Sequence, residues 1–231
     1  GVFTNNYVEG TLIGFFFEIS KGVVVAGNVF ANNEQGIRIL NSSDARIYQN
    51  TFYNSPVIID RNERSATADH FAWHPATGPD VDEREGHVLE RNLLVGGEGF
   101  TKPLLHFDQP EAMCGTLTRP MSTRVDGNVY VRGPSDEPLV TWSPVRGKDC
   151  LAEYDSLEAF RRGAGVEANG VALVPWHGTL FRSVELRHFD LARPVDALRP
   201  GTVPAEAAQA LGWSGEALPG AYPTAAPVAV P

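Results

Sequence analysis

Short apolar segments in which every second side chain faces the same way recur along the first two thirds of the chain. A period of two predicts β-strands with one buried face, and we predict such strands at residues 15–19, 37–40, 57–60, 104–108 and 139–142. Alternation turns one set of apolar side chains inward, namely Phe15, Phe17, Ile37, Ile39, Val57 and Ile59. The predicted outward set is Phe16, Glu18, Arg38, Leu40, Ile58, Asp60, His106 and Asp108.

Asparagine follows strand-like segments at a fixed interval. Asn6, Asn28 and Asn50 are 22 residues apart, and Asn92 and Asn128 follow after 42 and 36 residues. A constant period of this length indicates stacked repeats, and strand-forming residues around each Asn predict a strand, a turn and a second strand. We expect the Asn residues to adopt left-handed backbone angles and their amides to hydrogen-bond along the stack.

The repeat resembles one coil of a right-handed parallel β-helix, so we predict an all-β fold of this single-stranded type over residues 1–150. The longer intervals predict loops inserted at about 62–86 and 111–122. Residues 151–231 are predicted to form a C-terminal cap and tail. They contain a capping helix at 155–162 with Asp155 as N-cap, a second short helix at 205–211, and an extended Pro/Ala-rich tail at 218–231.

The amino-acid composition and net charge argue against some classes of binding partner. The chain has 231 residues, a net charge of −9 and no cluster of Lys and Arg, which disfavours nucleic acid and anionic membranes. No apolar stretch reaches 18 residues, so no membrane span is predicted. Because the chain starts inside a repeat, we expect N-terminal coils of a longer protein to stack on it. A secreted or cell-surface location is favoured, and Cys114 and Cys150 form either a disulfide or two free thiols.

The candidate catalytic and binding residues are ionisable side chains on an otherwise apolar strand face. An unpaired buried carboxylate is costly, so we place Glu18 and Asp60 on the outward face, with Arg38 close enough to Glu18 to form an ion pair. Glu18 and Asp60 are two coils apart, about 10 Å at the usual strand spacing. That distance is near the upper end of the carboxyl separation in inverting glycosidases.

The first insertion adds groups that suit a sugar ligand. Aromatic rings stack on sugar faces and imidazoles bond hydroxyls, and long loops are often functional; the candidates are His70, Trp73 and His74. Pro75 and the absence of a helical pattern argue against a zinc site at the two histidines. Calcium could be held by the carboxylates Asp80, Asp82, Glu83 and Glu85, for which a solvated loop is the alternative.

Residues 14–28 resemble a coil of the β-helix carbohydrate-active enzymes, and are similar in particular to the β-xylosidases of glycoside hydrolase family 120. Residues 154–160 and 165–169 resemble the usual end of such proteins. The resemblance implies that Glu18 is the general acid/base, with an Asp nucleophile one coil earlier, before Gly1.

The predicted function is therefore a glycoside hydrolase acting on a plant or microbial polysaccharide or oligosaccharide, without a cofactor unless calcium is bound. The predicted catalytic residues are Glu18, Asp60 and His106. The predicted substrate-binding residues are Phe16, Arg38, Arg61, His70, Trp73, His74 and Asp108. Two alternatives stay open: a polysaccharide lyase that uses a basic side chain such as Arg38 or His106, and a non-catalytic glycan-binding β-helix.

Overall fold

The computed structural model describes residues 1–64, 78–147 and 150–224. In those residues the strands are β1 (Val2–Thr4), β2 (Tyr7–Glu9), β3 (Ile13–Glu18), β4 (Lys21–Ala26), β5 (Val29–Ala31), β6 (Gln35–Leu40), β7 (Ser43–Tyr48), β8 (Thr51–Tyr53), β9 (Val57–Asp60), β10 (His87–Glu90), β11 (Leu93–Gly96), β12 (Leu105–Asp108), β13 (Ser122–Asp126), β14 (Val129–Arg132), β15 (Val140–Trp142), β16 (Ala152–Tyr154), β17 (Val171–Leu173), β18 (Phe181–Ser183), β19 (His188–Leu191), β20 (Gly201–Thr202) and β21 (Glu216–Ala217). The helices are α1 (Leu157–Ala164) and α2 (Ala205–Leu211), and short 3-10 turns cover Val81–Glu83 and Glu111–Met113.

Three stacked sheets run the length of the molecule. Sheet A has the order β1-β4-β7-β10-β13, sheet B has β2-β5-β8-β11-β14-β17, and sheet C has β3-β6-β9-β12-β15-β16. Successive coils therefore add one strand to each sheet, and the pairing is parallel except between β15 and β16. This is a right-handed parallel β-helix, as predicted.

Both insertions leave the stack at the same turn, between sheet C and sheet A. The first joins β9 to β10 and the second joins β12 to β13. Strand pairing continues across them, since β9 pairs with β12 and β10 pairs with β13. The loops therefore extend from one corner of the β-helix without interrupting its ladders.

The interior is filled by the inward apolar side chains of all three sheets. Aromatic rings stack between coils, as in the pair Phe30 and Phe52, whose ring centroids are 5.1 Å apart. Helix α1 closes the C-terminal end of this core with Phe160, which packs against Trp142. The predicted capping helix is thus confirmed, but its N-cap is Ser156, whose hydroxyl accepts from the Ala159 backbone N–H at 3.2 Å.

The five repeated asparagines form a continuous ladder between sheets A and B. In each step the backbone N–H and the amide Nδ2 of one Asn donate to Oδ1 of the Asn in the next coil, at 2.9–3.0 Å. The predicted stacking of amides is confirmed. The left-handed backbone angles belong to the preceding residue in each coil, namely Asn5, Gly27, Gln49, Arg91 and Gly127. The repeated position is Asn because its amide forms the hydrogen bonds of the ladder. The bend of the chain is formed by the residue before it.

The C-terminal segment, residues 174–224, follows the last strand of sheet B and packs on the outside of the β-helix. Its contacts fall on sheets A and B: Glu206 accepts from the Tyr48 hydroxyl, and the Leu218 carbonyl accepts from Gln49 Nε2, each at 2.7 Å. Rings of β18 and β19 pack on Tyr53 of sheet B. Residues 217–220 are buried. The first residues of the extended tail predicted from residue 218 are therefore packed against the β-helix.

A disulfide joins Cys114 of the second insertion to Cys150, with the two Cα atoms 6.0 Å apart. Of the two alternatives left by the sequence, the structure has the disulfide. Neither helix in the described part of the chain has the length and apolarity to cross a membrane. The outer edge of β1–β3 carries exposed side chains such as Val2 and Leu12. Stacking of further N-terminal coils on that edge stays a prediction.

Candidate functional site

The outward side of sheet C carries the charged residues singled out in the sequence. We call this surface the sheet C face and define it by Phe16, Glu18, Arg38, Leu40, Ile58, Asp60, His106 and Asp108. Ile37, Ile39, Val57 and Ile59 lie in the core and Phe16 is 45% exposed, as the alternation predicts, but Leu40 of the predicted outward set is only 4% exposed. The opposite side of each strand is apolar, so the polar groups on the face cannot rotate into the core without burying charge.

The strand register arranges these side chains in two columns. Phe16, Arg38, Ile58, His106 and Thr141 occupy one column. Glu18, Leu40, Asp60 and Asp108 occupy the other. Asp60 and Asp108 are direct neighbours on adjacent coils, about 4.8 Å apart at the backbone. Glu18 is separated from Asp60 by the coil that carries Leu40.

Arg38 binds Asp60 with two hydrogen bonds. Its Nη2 donates to Asp60 Oδ2 at 2.6 Å, and its Nε donates to Oδ1 at 3.4 Å. The predicted pairing of Arg38 with Glu18 is not present. Arg38 lies diagonally between the two carboxylates, and Glu18 is instead paired with Arg64, whose Nη1 is 2.9 Å from Glu18 Oε1.

The environment of Asp60 raises the pKa of its carboxyl. Burial raises the pKa of this carboxyl above its ordinary value, and the neighbouring Asp108 raises it further. The hydrogen bonds and charge of Arg38 act in the opposite direction without cancelling the effect of burial. A side chain that retains its proton above the usual range, beside a second carboxylate, is suited to donate that proton to a ligand.

His106 lies beside the carboxylate pair in the neighbouring column. Its Nδ1 is hydrogen-bonded to the hydroxyl of Thr141, with the donor decided by the tautomer. Within the described residues no hydrogen bond engages its Nε2. That nitrogen is therefore available to a ligand on the sheet C face.

The structure places Arg61 away from the face and assigns it a structural role instead of the predicted substrate contact. Its side chain is buried, with 2% of the residue exposed. Its Nε donates to Gln109 Oε1 at 2.7 Å and its Nη2 donates to the Arg119 carbonyl at 2.9 Å. The reason is alternation: Arg61 directly follows the outward Asp60 and so points into the turn.

The structure describes only some of the ligand groups predicted in the first insertion. His70, Trp73 and His74 lie outside the described residues. Among the acidic residues proposed for calcium, Glu85 is paired with Arg119 at 2.9 Å. The described part of the chain contains no group of three or more His, Cys, Asp or Glu residues arranged to hold a metal. Arg64, Gln109 and Thr141 were missed, although Gln109 follows Asp108 just as Arg61 follows Asp60.

The stacked sheets define a right-handed parallel β-helix protein in which the outward side of sheet C carries charged side chains. A family model described as periplasmic copper-binding protein (NosD), itself a parallel β-helix family, matches residues 2–77, about a third of the chain. No curated protein and no solved structure matches the chain. The comparisons do not support a relationship to glycoside hydrolase family 120.

Proposed function

We propose that the sheet C face binds a glycan and that Asp60 and Asp108 hydrolyse one of its glycosidic bonds. The observation that supports this most is the pair of carboxylates on adjacent coils, of which one has a raised pKa and a bound arginine. Their backbone spacing of about 4.8 Å is close to the carboxyl separation of about 5–5.5 Å in retaining glycosidases.

This assignment shifts the reaction centre away from Glu18. Glu18 and Asp60 are two coils apart, and Leu40 lies between them. Glu18 is also engaged by Arg64. We therefore give Glu18, together with the exposed ring of Phe16, the role of contacting a neighbouring sugar unit.

The proposed reaction has two steps. Protonated Asp60 donates its proton to the glycosidic oxygen while the Asp108 carboxylate attacks the anomeric carbon, so that the leaving sugar departs as an alcohol and a glycosyl ester forms. Asp60, now ionised, then takes a proton from a water molecule whose oxygen attacks the same carbon and releases Asp108. Arg38 holds the Asp60 carboxylate in place, and His106 Nε2 contacts a hydroxyl of the substrate.

The surroundings of the face agree with this role. The C-terminal segment packs on sheets A and B, and both insertions emerge at the edge of sheet C where Asp60 and Asp108 lie. A disulfide is typical of oxidising compartments. Together with the periplasmic family description for residues 2–77, it supports export to a compartment where polysaccharides are met.

The experiment is hydrolysis of aryl-glycosides and polysaccharides by the wild type, Asp60→Asn and Asp108→Asn. We expect each variant to lose turnover by about 10²-fold, because each removes a group that acts in the transition state. Asp44→Asn is the matched control, since Asp44 lies on sheet A at a left-handed position that Asn tolerates.

Three outcomes would contradict the proposal. Unchanged hydrolysis by both Asn variants would remove the carboxylate pair from the mechanism. An unsaturated product that absorbs in the ultraviolet would identify a lyase. Glycan binding without turnover across the whole panel would identify a non-catalytic binding protein.

Copper binding is the second candidate, favoured by the family match alone. The described residues do not supply a cluster of ligands for it, and both cysteines are in the disulfide. Titration of the purified protein with Cu²⁺ tests it directly. Stoichiometric binding that survives dialysis would favour copper, and its absence would leave the glycan proposal as the better one.

A further inference from the structure

We propose that Arg61 and Gln109 are positioning residues that hold Asp60 and Asp108 at a fixed separation. The inference rests on the proposed function of the sheet C face, and it assigns a role to two buried side chains that do not touch substrate. We call them the Arg61–Gln109 pair.

The pair sits directly behind the two carboxylates. Arg61 follows Asp60 and Gln109 follows Asp108, so alternation points the pair inward where the carboxylates point outward. The backbone N–H of Arg61 donates to the Asp108 carbonyl at 3.2 Å. The side chains then join at 2.7 Å, Arg61 Nε donating to Gln109 Oε1. The bond between the two side chains thus continues the pairing of the two coils one residue beyond Asp60 and Asp108.

The link lies where the strand ladder stops. Asp60 and Asp108 are the last paired residues of β9 and β12, and both insertions begin immediately afterwards. Strand ends next to long loops open at low free energy. An inward bond between Arg61 and Gln109 opposes that opening at the position where a small change in separation alters the geometry of the carboxylates.

The pair is itself fixed by the second insertion. Gln109 Nε2 donates to the Leu117 carbonyl at 3.0 Å, and Arg61 Nη2 donates to the Arg119 carbonyl at 2.9 Å. Gln109 Nε2 also lies 3.7 Å and 3.8 Å from the sulfurs of Cys114 and Cys150, whose disulfide ties this loop to the end of the stack. Both members of the Arg61–Gln109 pair are therefore hydrogen-bonded to the second insertion as well as to each other.

The pair is a costly way to fill this space, which argues that it does more than pack. Burial lowers the pKa of Arg61 to about 10, and the attraction of Glu85, 4.0 Å away, offsets this only in part. A buried charge that is imperfectly paired contributes little to stability compared with an apolar side chain. What it supplies here is a directed bond between two residues, each adjacent to a candidate catalytic carboxylate.

The test uses Gln109→Met, which keeps the size of the side chain and removes both of its hydrogen-bonding groups. The readout is the titration of the Asp60 carboxyl carbon by nuclear magnetic resonance, together with kcat and KM on the best substrate. Arg132→Met is the matched control. Arg132 is an equally buried arginine that holds loop carbonyls on sheet B, with its Nη2 2.7 Å from the Glu137 carbonyl.

We expect the pKa of the wild-type Asp60 carboxyl to lie above its ordinary value, because burial raises it and the neighbouring Asp108 adds to the effect. In Gln109→Met the Asp60 midpoint should shift down toward its ordinary value, since the two carboxyls separate and water enters. We expect kcat to fall about tenfold while KM stays within about threefold, because positioning acts on the reacting geometry. Arg132→Met should change neither the titration nor the ratio of kcat to KM.

An unchanged titration in folded Gln109→Met would overturn the inference, and so would an equal change in Arg132→Met. If Gln109→Met does not fold, Gln109→Asn keeps the amide on a shorter side chain and is judged by the same two criteria. The titration needs no substrate. A wild type that hydrolyses no glycan but shows the expected titration changes would therefore refute the proposed function and leave the positioning role supported.

Discussion

Asn50→Ala is expected to lower the free energy of unfolding by about 4 kcal/mol, as estimated from the cost of unsatisfied buried groups. Asn50 Oδ1 accepts from the Asn28 backbone N–H at 3.0 Å and from Asn28 Nδ2 at 2.9 Å. Its own Nδ2 donates to the Val25 carbonyl and to Asn92 Oδ1. Alanine leaves the donors of Asn28 without this acceptor in the dry interior, where each lost bond costs about 1–3 kcal/mol.

The measurement is unfolding in urea, followed by far-ultraviolet circular dichroism and tryptophan fluorescence in parallel. Asn169→Ala is the control: Asn169 is exposed and its amide bonds only Asp126, so we expect a loss of about 1 kcal/mol or less. A loss of similar size in the two variants would show that the ladder contributes no more than a surface hydrogen bond. If circular dichroism and fluorescence give different unfolding midpoints for Asn50→Ala, the substitution destabilises only part of the stack.

The second large effect is expected at the end of the same ladder. Glu167, 1% exposed, takes the place of a sixth Asn: its carboxylate accepts from Asn128 Nδ2 and from the Tyr130 hydroxyl, each at 2.7 Å. Burial nevertheless dominates and raises the pKa of Glu167 from 4.5 to about 7. The folded state then holds a proton that the unfolded state releases at lower pH.

The sign of the pH dependence follows from that difference. A carboxyl with a raised pKa in the folded state contributes full stability below its unfolded pKa and loses it as the pH rises to the folded pKa. We expect the free energy of unfolding to fall by about 3 kcal/mol between pH 4.5 and pH 7 on account of Glu167 alone, at 1.36 kcal/mol per unit.

Glu167→Gln isolates this contribution. Glutamine keeps one uncharged acceptor oxygen for Asn128 Nδ2 and the Tyr130 hydroxyl, but not the acceptor that receives the Asn128 backbone N–H at 3.2 Å. We therefore expect the variant to lack the wild-type fall of about 3 kcal/mol between pH 4.5 and pH 8, whatever its stability at pH 4.5. The measurement is urea unfolding of both proteins at the two pH values. Glu158→Gln, exposed on α1, is the control and should leave the pH dependence unchanged. If the free energy of unfolding changes equally with pH in Glu167→Gln and in the wild type, Glu167 is not the source of the pH dependence.

The fold was predictable because the Asn interval records the geometry of a single corner of the β-helix. A ladder of amides requires the same residue once per coil, so the interval indicated the coil length and the insertions, while alternation within the strands indicated the inward and outward sides of sheet C. The position of the bend was wrong by one residue. Left-handed angles occur at Gly27 and Gln49, which differ in type, so no single residue type marked them in the sequence.

The site was predictable only in part. Where an insertion separates two strands, the repeat does not tell how many residues lie between the positions that pair. Arg38 and Asp60 are 22 residues apart, within the regular period, although the partner predicted for Arg38 was Glu18. Asp60 and Asp108 are partners across 48 residues, a separation that depends on how much chain leaves the stack. The inward direction of Arg61 was missed for a related reason, since an arginine after an apolar strand reads as a surface residue until its hydrogen-bond partners in the second insertion are known.

The concentration of both insertions at one corner has a consequence for how such a protein can diversify. The Asn ladder occupies a different corner, and its bonds continue across both inserted segments. Added length at the C-to-A corner therefore leaves that ladder unbroken, while it changes the walls beside Asp60 and Asp108. Loops of different length and composition can be exchanged there on a constant scaffold, which makes this corner the natural place to graft a new ligand preference.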